Sequence, residues 1–239
     1  MLLKNMNVEG IVIMENQKKA DFCMHSLMCF IGGFLGAYAI INRGGNLGSA
    51  QTSNLIYLVL CFLGHNITEF LIRILGVFLY IAGIELYVYL THKTKINIQR
   101  YGIAVDMVGF LLLSFIPATA NPIVGLLPLF FIMSTQWSVF HGTNAYTSST
   151  IFSTNNLRQM FLAFGEYLCN KDHAQIAKAK YFANSLLWYH LGVAISFFSC
   201  KAFGIHACLF CFIPAFLALI ITYKDAKFVS VFLKRKAMA

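Results

Sequence analysis

Two short polar strings stand out in an apolar chain because their residue types could bind a solute. They are Gln51-Thr52-Ser53-Asn54-Leu55 and Ser153-Thr154-Asn155-Asn156-Leu157, and Asn54 and Asn156 are 102 positions apart. Each follows a polar, turn-rich stretch (42–51 and 142–150) and precedes an apolar run with helical patterning, 52–64 or 154–169. Thr52 and Ser53, like Ser153 and Thr154, are residue types that cap helix N-termini. A helix N-terminus carries unpaired N–H groups and a partial positive charge, which suits an anion or an electron-rich polar group. Gln51, Thr52, Asn54, Gln136, Asn144, Thr154, Asn156 and Arg158 form the candidate substrate-binding set, with Arg158 adding a full charge one turn into the second run. Arg43, beside the first string, either does the same or snorkels. The competing reading is that these groups only cap helices and hold a bundle together.

The titratable residues offer less. Asp106 and His141 are candidate proton-coupling groups, since ionisable residues inside apolar helices are costly and often functional. Asp106 also lies about 9 Å along a helix from Arg100 at 1.5 Å per residue, so interfacial pairing there is the alternative. Glu69 and Arg73, four apart, are expected to pair with each other. Glu85 lies near an inner helix end, Glu166 near a cytoplasmic mouth, and His190 reads as a core histidine. Seven cysteines, Cys208 and Cys211 among them as a C-x-x-C, sit mostly within apolar runs and read as small apolar residues, not disulfides or a metal site. With no Ser/His/Asp cluster, metal-ligand spacing or phosphate cradle, the chain is not expected to be an enzyme or to carry a metal or cofactor.

These residues must be positioned by apolar helices. Hydrophobic residues make up 59% of the 239, and only 11% are charged, against roughly 25% in soluble proteins. The net charge of +9 does not mark a nucleic-acid partner, because the basic residues fall between apolar stretches. Six runs qualify or nearly qualify as spans of about 20 residues: 22–42, 68–91, 101–116, 123–141, 179–200 and 206–223. Of 18 Lys and Arg, 14 lie in the N-terminal segment 1–21, the linkers 92–100 and 170–180, and the tail 224–239. The positive-inside rule places all four in the cytoplasm of a bacterial inner-membrane protein. The first 21 residues lack a signal peptide's apolar core and cleavage pattern. With both ends inside, 52–64 and 154–169 cannot cross and are expected to be re-entrant; eight full crossings are the second choice.

The expected fold is therefore all-α: one membrane domain of six transmembrane helices plus two half-helices. A first repeat, 22–116, is followed by an inverted second, 123–223. Inverted repeats with broken helices are an architecture of secondary transporters, with the site at the midplane. Gly32 and Gly36 form a small-residue face for packing within the fold or for a homodimer.

At these motifs the chain resembles the YoaK-type family of uncharacterised bacterial membrane proteins over roughly residues 22–225. The resemblance is carried by Gly32-Gly33-Phe34-Leu35-Gly36-Ala37-Tyr38, Ala50-Gln51-Thr52-Ser53-Asn54, Gln136 and Ser153-Thr154-Asn155-Asn156-Leu157-Arg158. Such families show Gln-Thr-Gly-Asn and Thr-Gly-Asn-Leu, so Ser53 and Asn155 replace two glycines, and Trp137 stands where an asparagine commonly follows the glutamine. Loss of the glycines bears on close backbone approach to a ligand. The resemblance implies a membrane fold and a motif map, not a reaction. The expected function is a secondary transporter or facilitator of a small polar, perhaps anionic, solute; a passive channel, a membrane-embedded enzyme and a scaffold or sensor are the rivals.

Overall fold

The computed structural model describes residues 8–49, 51–143 and 146–237, with side chains from residue 15 to 224 in those ranges. Asn144, one of the candidate binding residues, lies outside them. Eight α-helices carry the described chain: α1 (Val8–Asn42), α2 (Gln51–Leu63), α3 (Ile67–Lys93), α4 (Ile98–Phe115), α5 (Leu127–Val139), α6 (Thr154–Asn170), α7 (His173–Phe203) and α8 (Phe212–Ala237). A single 3-10 turn, Val124–Leu126, leads into α5, and a longer one, Gly204–Cys211, joins α7 to α8. The stretches Glu15–Asn42, Ile67–Lys93, Ile98–Phe115 and His173–Lys224 are each long and apolar enough to cross a membrane; Gln51–Leu63 and Val124–Val139 are shorter apolar helices.

Several boundaries differ from those read in the sequence. Residues 8–21 are continuous with the first span, because α1, Val8–Asn42, runs unbroken for 35 residues, about 52 Å. The basic tail likewise continues α8. The fourth span, expected at 123–141, is shorter, with only 13 α-helical residues in α5. Pro128 in its first turn marks its start, and Gly142 at φ 123° lies beyond its end in a conformation no helix tolerates. Gly142–Thr143 pairs with Tyr146–Thr147 as a two-residue antiparallel hairpin, β1 and β2, a strand element the all-α expectation did not include.

Each short helix forms a hairpin with the long helix after it. The α2–α3 turn passes through His65 in the left-handed region to Asn66, whose side chain accepts the Glu69 N–H at 3.2 Å. The α6–α7 turn passes through left-handed Lys171 to Asp172, which accepts the Ala174 N–H at 2.9 Å. Polar residues that cap after one left-handed step make both turns abrupt.

The largest contacts between helices not joined by a single turn are α1 with α7 and α3 with α5; α2 packs on α3, α6 on α7, α4 on α5 and α1 on α8. The two main crossings are closed by small residues. A side chain at Gly33 would collide with the Tyr189 carbonyl, and one at Gly192 with the Phe30 carbonyl, so α1 and α7 meet backbone to backbone. A side chain at Gly83 of α3 would collide with the Ser134 hydroxyl of α5. Gly32 meets the Thr150 carbonyl and Gly36 the Tyr189 ring hydroxyl, so this glycine face serves packing within the chain. The core gathers Met28, Phe34, Tyr38, Phe110, Phe130 and Met133 among others. The outward surfaces carry large apolar side chains such as Leu63, Phe78, Phe115 and Phe198, as a lipid-facing surface requires.

Candidate functional site

The first break lies between α1 and α2. Arg43 ends α1 and is buried, donating to the Ile116 carbonyl through Nη2 and to the Pro117 carbonyl through Nη1, each at 2.9 Å. Its guanidinium rests on Gly125. Arg43 therefore satisfies carbonyls just past the C-terminus of α4 through both Nη atoms, while its Nε is buried without a partner. Tyr38 works alongside, donating to the Ile205 carbonyl at 3.0 Å. The chain then passes Gly48, packed against Leu129 and Leu126, and α2 begins at Gln51.

In the first turn of α2 only Asn54 is buried; Thr52 and Ser53 are exposed and sit inside the helix, not at its cap. Asn54 Oδ1 accepts from Arg73 Nη1 at 3.2 Å. Its Nδ2 donates to Gln51 Oε1 at 3.2 Å and to the Arg73 carbonyl at 3.4 Å. Arg73 is held in turn by Glu69 Oε1, 2.9 Å from Nε and 2.6 Å from Nη2, and by the Tyr57 ring 4.6 Å away. The expected Glu69–Arg73 pair is present, and it anchors the break as well.

The second break runs from Phe140 to Ser153 between α5 and α6. Ser153 stands at the cap position without a side-chain cap bond, and Thr154 is exposed. Asn156, 1% exposed, organises the turn instead. Its Nδ2 donates to the Ser149 carbonyl at 2.7 Å and the Phe152 carbonyl at 3.2 Å, and Oδ1 accepts the Ser149 N–H at 3.3 Å and the Ser148 hydroxyl at 3.0 Å. Ser149 Oγ accepts the N–H groups of Ile151 and Phe152. From Ser148 the network reaches Ser185 of α7 at 3.2 Å and His25 Nε2 of α1 at 3.1 Å. His25 is 2% exposed and stacks on Tyr181, centroids 5.5 Å apart at 17°. Gln136, fully buried at the end of α5, donates to the Met28 carbonyl at 2.8 Å and Thr150 Oγ1 at 3.2 Å.

Four of the predicted residues thus form polar networks at the breaks: Gln51 and Asn54 at the first, Gln136 and Asn156 at the second. Thr52, Thr154 and Arg158 point outward and join neither. His141 is exposed and contacts only the Ser138 carbonyl, at 2.9 Å. Asp106 is fully buried in α4 with neither oxygen hydrogen-bonded. Its expected partner Arg100 binds Thr222 and lies 3.8 Å over the Tyr223 ring. Sequence reasoning passed over His25, Ser148, Thr150 and Ser185. A histidine inside the apolar run 22–42 was the available signal; the serines carry none until α1 and α7 close on the loop.

The breaks share a wall. Gly48 rests on Leu129, and Thr150 is bonded by Gln136. Leu129 and Gln136 are seven residues apart on α5, which puts them on one face about 10 Å from each other. Two hollows lie elsewhere: one of about 490 Å³ between α3, α4 and α5, lined by Leu79, Val108, Leu112 and Phe131, and one of about 420 Å³ between α6 and α7, lined by Phe161, Phe164, Tyr167 and Ala183. Both are apolar.

Neither a curated protein nor a solved structure matches the chain. A protein family does, over residues 24–222, the stretch that contains both breaks and all eight helices in whole or part. The chain belongs to that family, DUF1275, described as proteins of unknown function.

Proposed function

We propose that this protein is a secondary transporter or facilitator of a small polar solute, built as an inverted repeat of six crossings and two half-helices, α2 and α6. The ends lie in the cytoplasm of a bacterial inner membrane, as the basic clusters require, and the solute occupies the space between the two breaks on α5.

The helix contacts support the repeat. Exchanging each of α1–α4 with its counterpart in α5–α8 turns α1·α7 into α5·α3, α2·α3 into α6·α7, and α4·α5 into α8·α1, all of which are packed pairs. The breaks follow the same exchange, the first lying on α5 and the second on α1. Asn54 maps to Asn156 by 102 positions. The observation that carries the proposal is at the half-helix starts: in each, a buried Asn ties the first turn to its surroundings, Asn54 to Gln51 and Arg73, Asn156 to Ser148, Ser149 and Phe152. Irregular backbone at membrane depth is tolerated where protein buries it or a watery path runs along it.

Stopped-flow swelling of proteoliposomes with urea, glycerol, acetamide, formate and acetate tests this. At least one solute is expected to enter faster than into protein-free vesicles, with a rate that saturates. Asn54→Ala and Asn156→Ala should each lower that rate tenfold or more in vesicles carrying equal amounts of folded protein. Equal rates with and without protein for all five, or unchanged rates in both variants, overturns the proposal. An accelerated rate that never saturates identifies a channel instead.

A further inference from the structure

The two apolar hollows differ in what stands at their edges. The one between α3, α4 and α5 is lined without a charged residue. The one between α6 and α7 is walled by Phe161, Phe164 and Tyr167 on one side and by Ala179, Lys180 and Ala183 on the other. Its lining surface is apolar throughout, so Lys180 contributes its carbon stem and carries its ammonium beyond the wall. A second cation stands where α6 turns into α7. Lys171 Nζ lies 5.7 Å from the centre of the Tyr167 ring, and the His173 ring is 5.6 Å from the same ring.

Both lysines are exposed, and no salt bridge among the described residues takes either of them. The carboxylates next to them in the chain do not line the groove. Glu166 accepts from Asn170 Nδ2 at 2.7 Å, and Asp172 accepts the Ala174 N–H at 2.9 Å. From His173 to Lys180 the helix rises about 10 Å, a span that two long lysine stems close around one anionic group.

An apolar trough that ends at unpaired cations is the complement of a lipid with a negative headgroup. Basic pockets between membrane helices take such headgroups. A zwitterionic lipid brings its own cation and leaves the lysines unmatched. We infer that the α6–α7 groove holds one anionic phospholipid, with an acyl chain against Phe161, Phe164 and Ala183 and the headgroup phosphate between Lys171 and Lys180. That the lipid comes from the cytoplasmic leaflet rests on the orientation proposed above; its charge class rests on the groove alone.

Native mass spectrometry of the purified full chain in detergent, titrated in turn with dioleoylphosphatidylglycerol and dioleoylphosphatidylcholine, tests this. The phosphatidylglycerol should bind about twentyfold more tightly. Lys171→Gln and Lys180→Gln should each reduce that preference about fivefold, the contribution of one lysine near anionic headgroups. The double variant should erase it and leave phosphatidylcholine binding unchanged. Glycerol phosphate, a headgroup without chains, should not bind. Ala183→Phe sets a ring into the groove and should weaken phosphatidylglycerol binding, whereas Ala104→Phe in the uncharged hollow should not. If the Ala183→Phe chain does not fold, the substitutions at the two exposed lysines still decide. Equal affinity for the two lipids, a preference that survives the double variant, or glycerol phosphate bound as tightly as lipid overturns the inference. A dimer that Ala183→Phe dissociates would put a second copy in the groove and overturn it as well. None of these outcomes bears on solute flux, so the transport reading stands or falls separately.

Discussion

The two breaks begin with nearly the same residues and are held in different ways. The first is tied down by charge: Glu69 holds Arg73, Arg73 holds Asn54, and Asn54 holds Gln51. The second is held by neutral groups that close on themselves through Ser148, Ser149, Asn156 and Ser185, with His25 at the rim. Repetition in sequence supplied two equivalent asparagines, but Asn54 binds Arg73 of the helix packed beside it and Asn156 the loop that leads into its own helix. An ion-paired anchor tolerates partial exposure, and Glu69 retains 32% of its side-chain surface. A neutral network stands only where water and lipid are excluded, and Asn156, Ser148 and Ser185 are all fully or almost fully buried.

The sharpest way to break the comparison is at the two crossings that hold the halves together. Gly192→Ala sets a methyl against the Phe30 carbonyl, where only backbone movement can relieve it. It should cost about 3 kcal/mol, the upper end for overpacking, measured by unfolding in mixed micelles. Gly83→Ala meets chiefly the Ser134 hydroxyl, with the Phe131 carbonyl 2.9 Å away. Its loss should be smaller, and Ser134→Gly should restore part of it. Equal costs without rescue would mean that the two crossings are not built as described.

At the breaks, Asn156→Ala strands the Ser149 carbonyl and N–H in the interior, an expected loss of about 2 kcal/mol. Asn54→Ala strands one N–H of Arg73, whose Glu69 contacts persist, so about 1 kcal/mol is expected from the same unfolding measurement. The reverse order would show that charge, not burial, makes the stronger anchor. The smallest effect belongs to the ion pair's ionic strength dependence. Raising salt should weaken the partly exposed Glu69–Arg73 contact by a few tenths of a kcal/mol at most, seen as faster hydrogen exchange at the start of α2 and none at the start of α6.

Much of this was legible in the residue order. Apolar runs of spanning length announced the helices, the paired strings announced the breaks, and the spacing of Glu69 and Arg73 announced their contact. Helix ends were less visible. The start of α1 at Val8 was hidden because residues 8–21 are polar enough to look like a loose segment, yet contain no Pro to stop a helix. The cap roles of Thr52 and Thr154 did not hold, because Asn54 and Asn156, buried one turn further in, reach the polar partners first. Asp106 was judged by its distance from Arg100 along α4, but the two face different neighbours.

By itself the sequence determined a chain of apolar helices with two polar interruptions at equivalent positions, since helix length, hydrophobicity and turn residues are local properties. Tertiary structure alone decided what the polar groups in those interruptions bind. A buried polar group's role depends on the partner brought alongside: Asn54 meets Arg73 of α3, and His25 of α1 meets Ser148 of the second break.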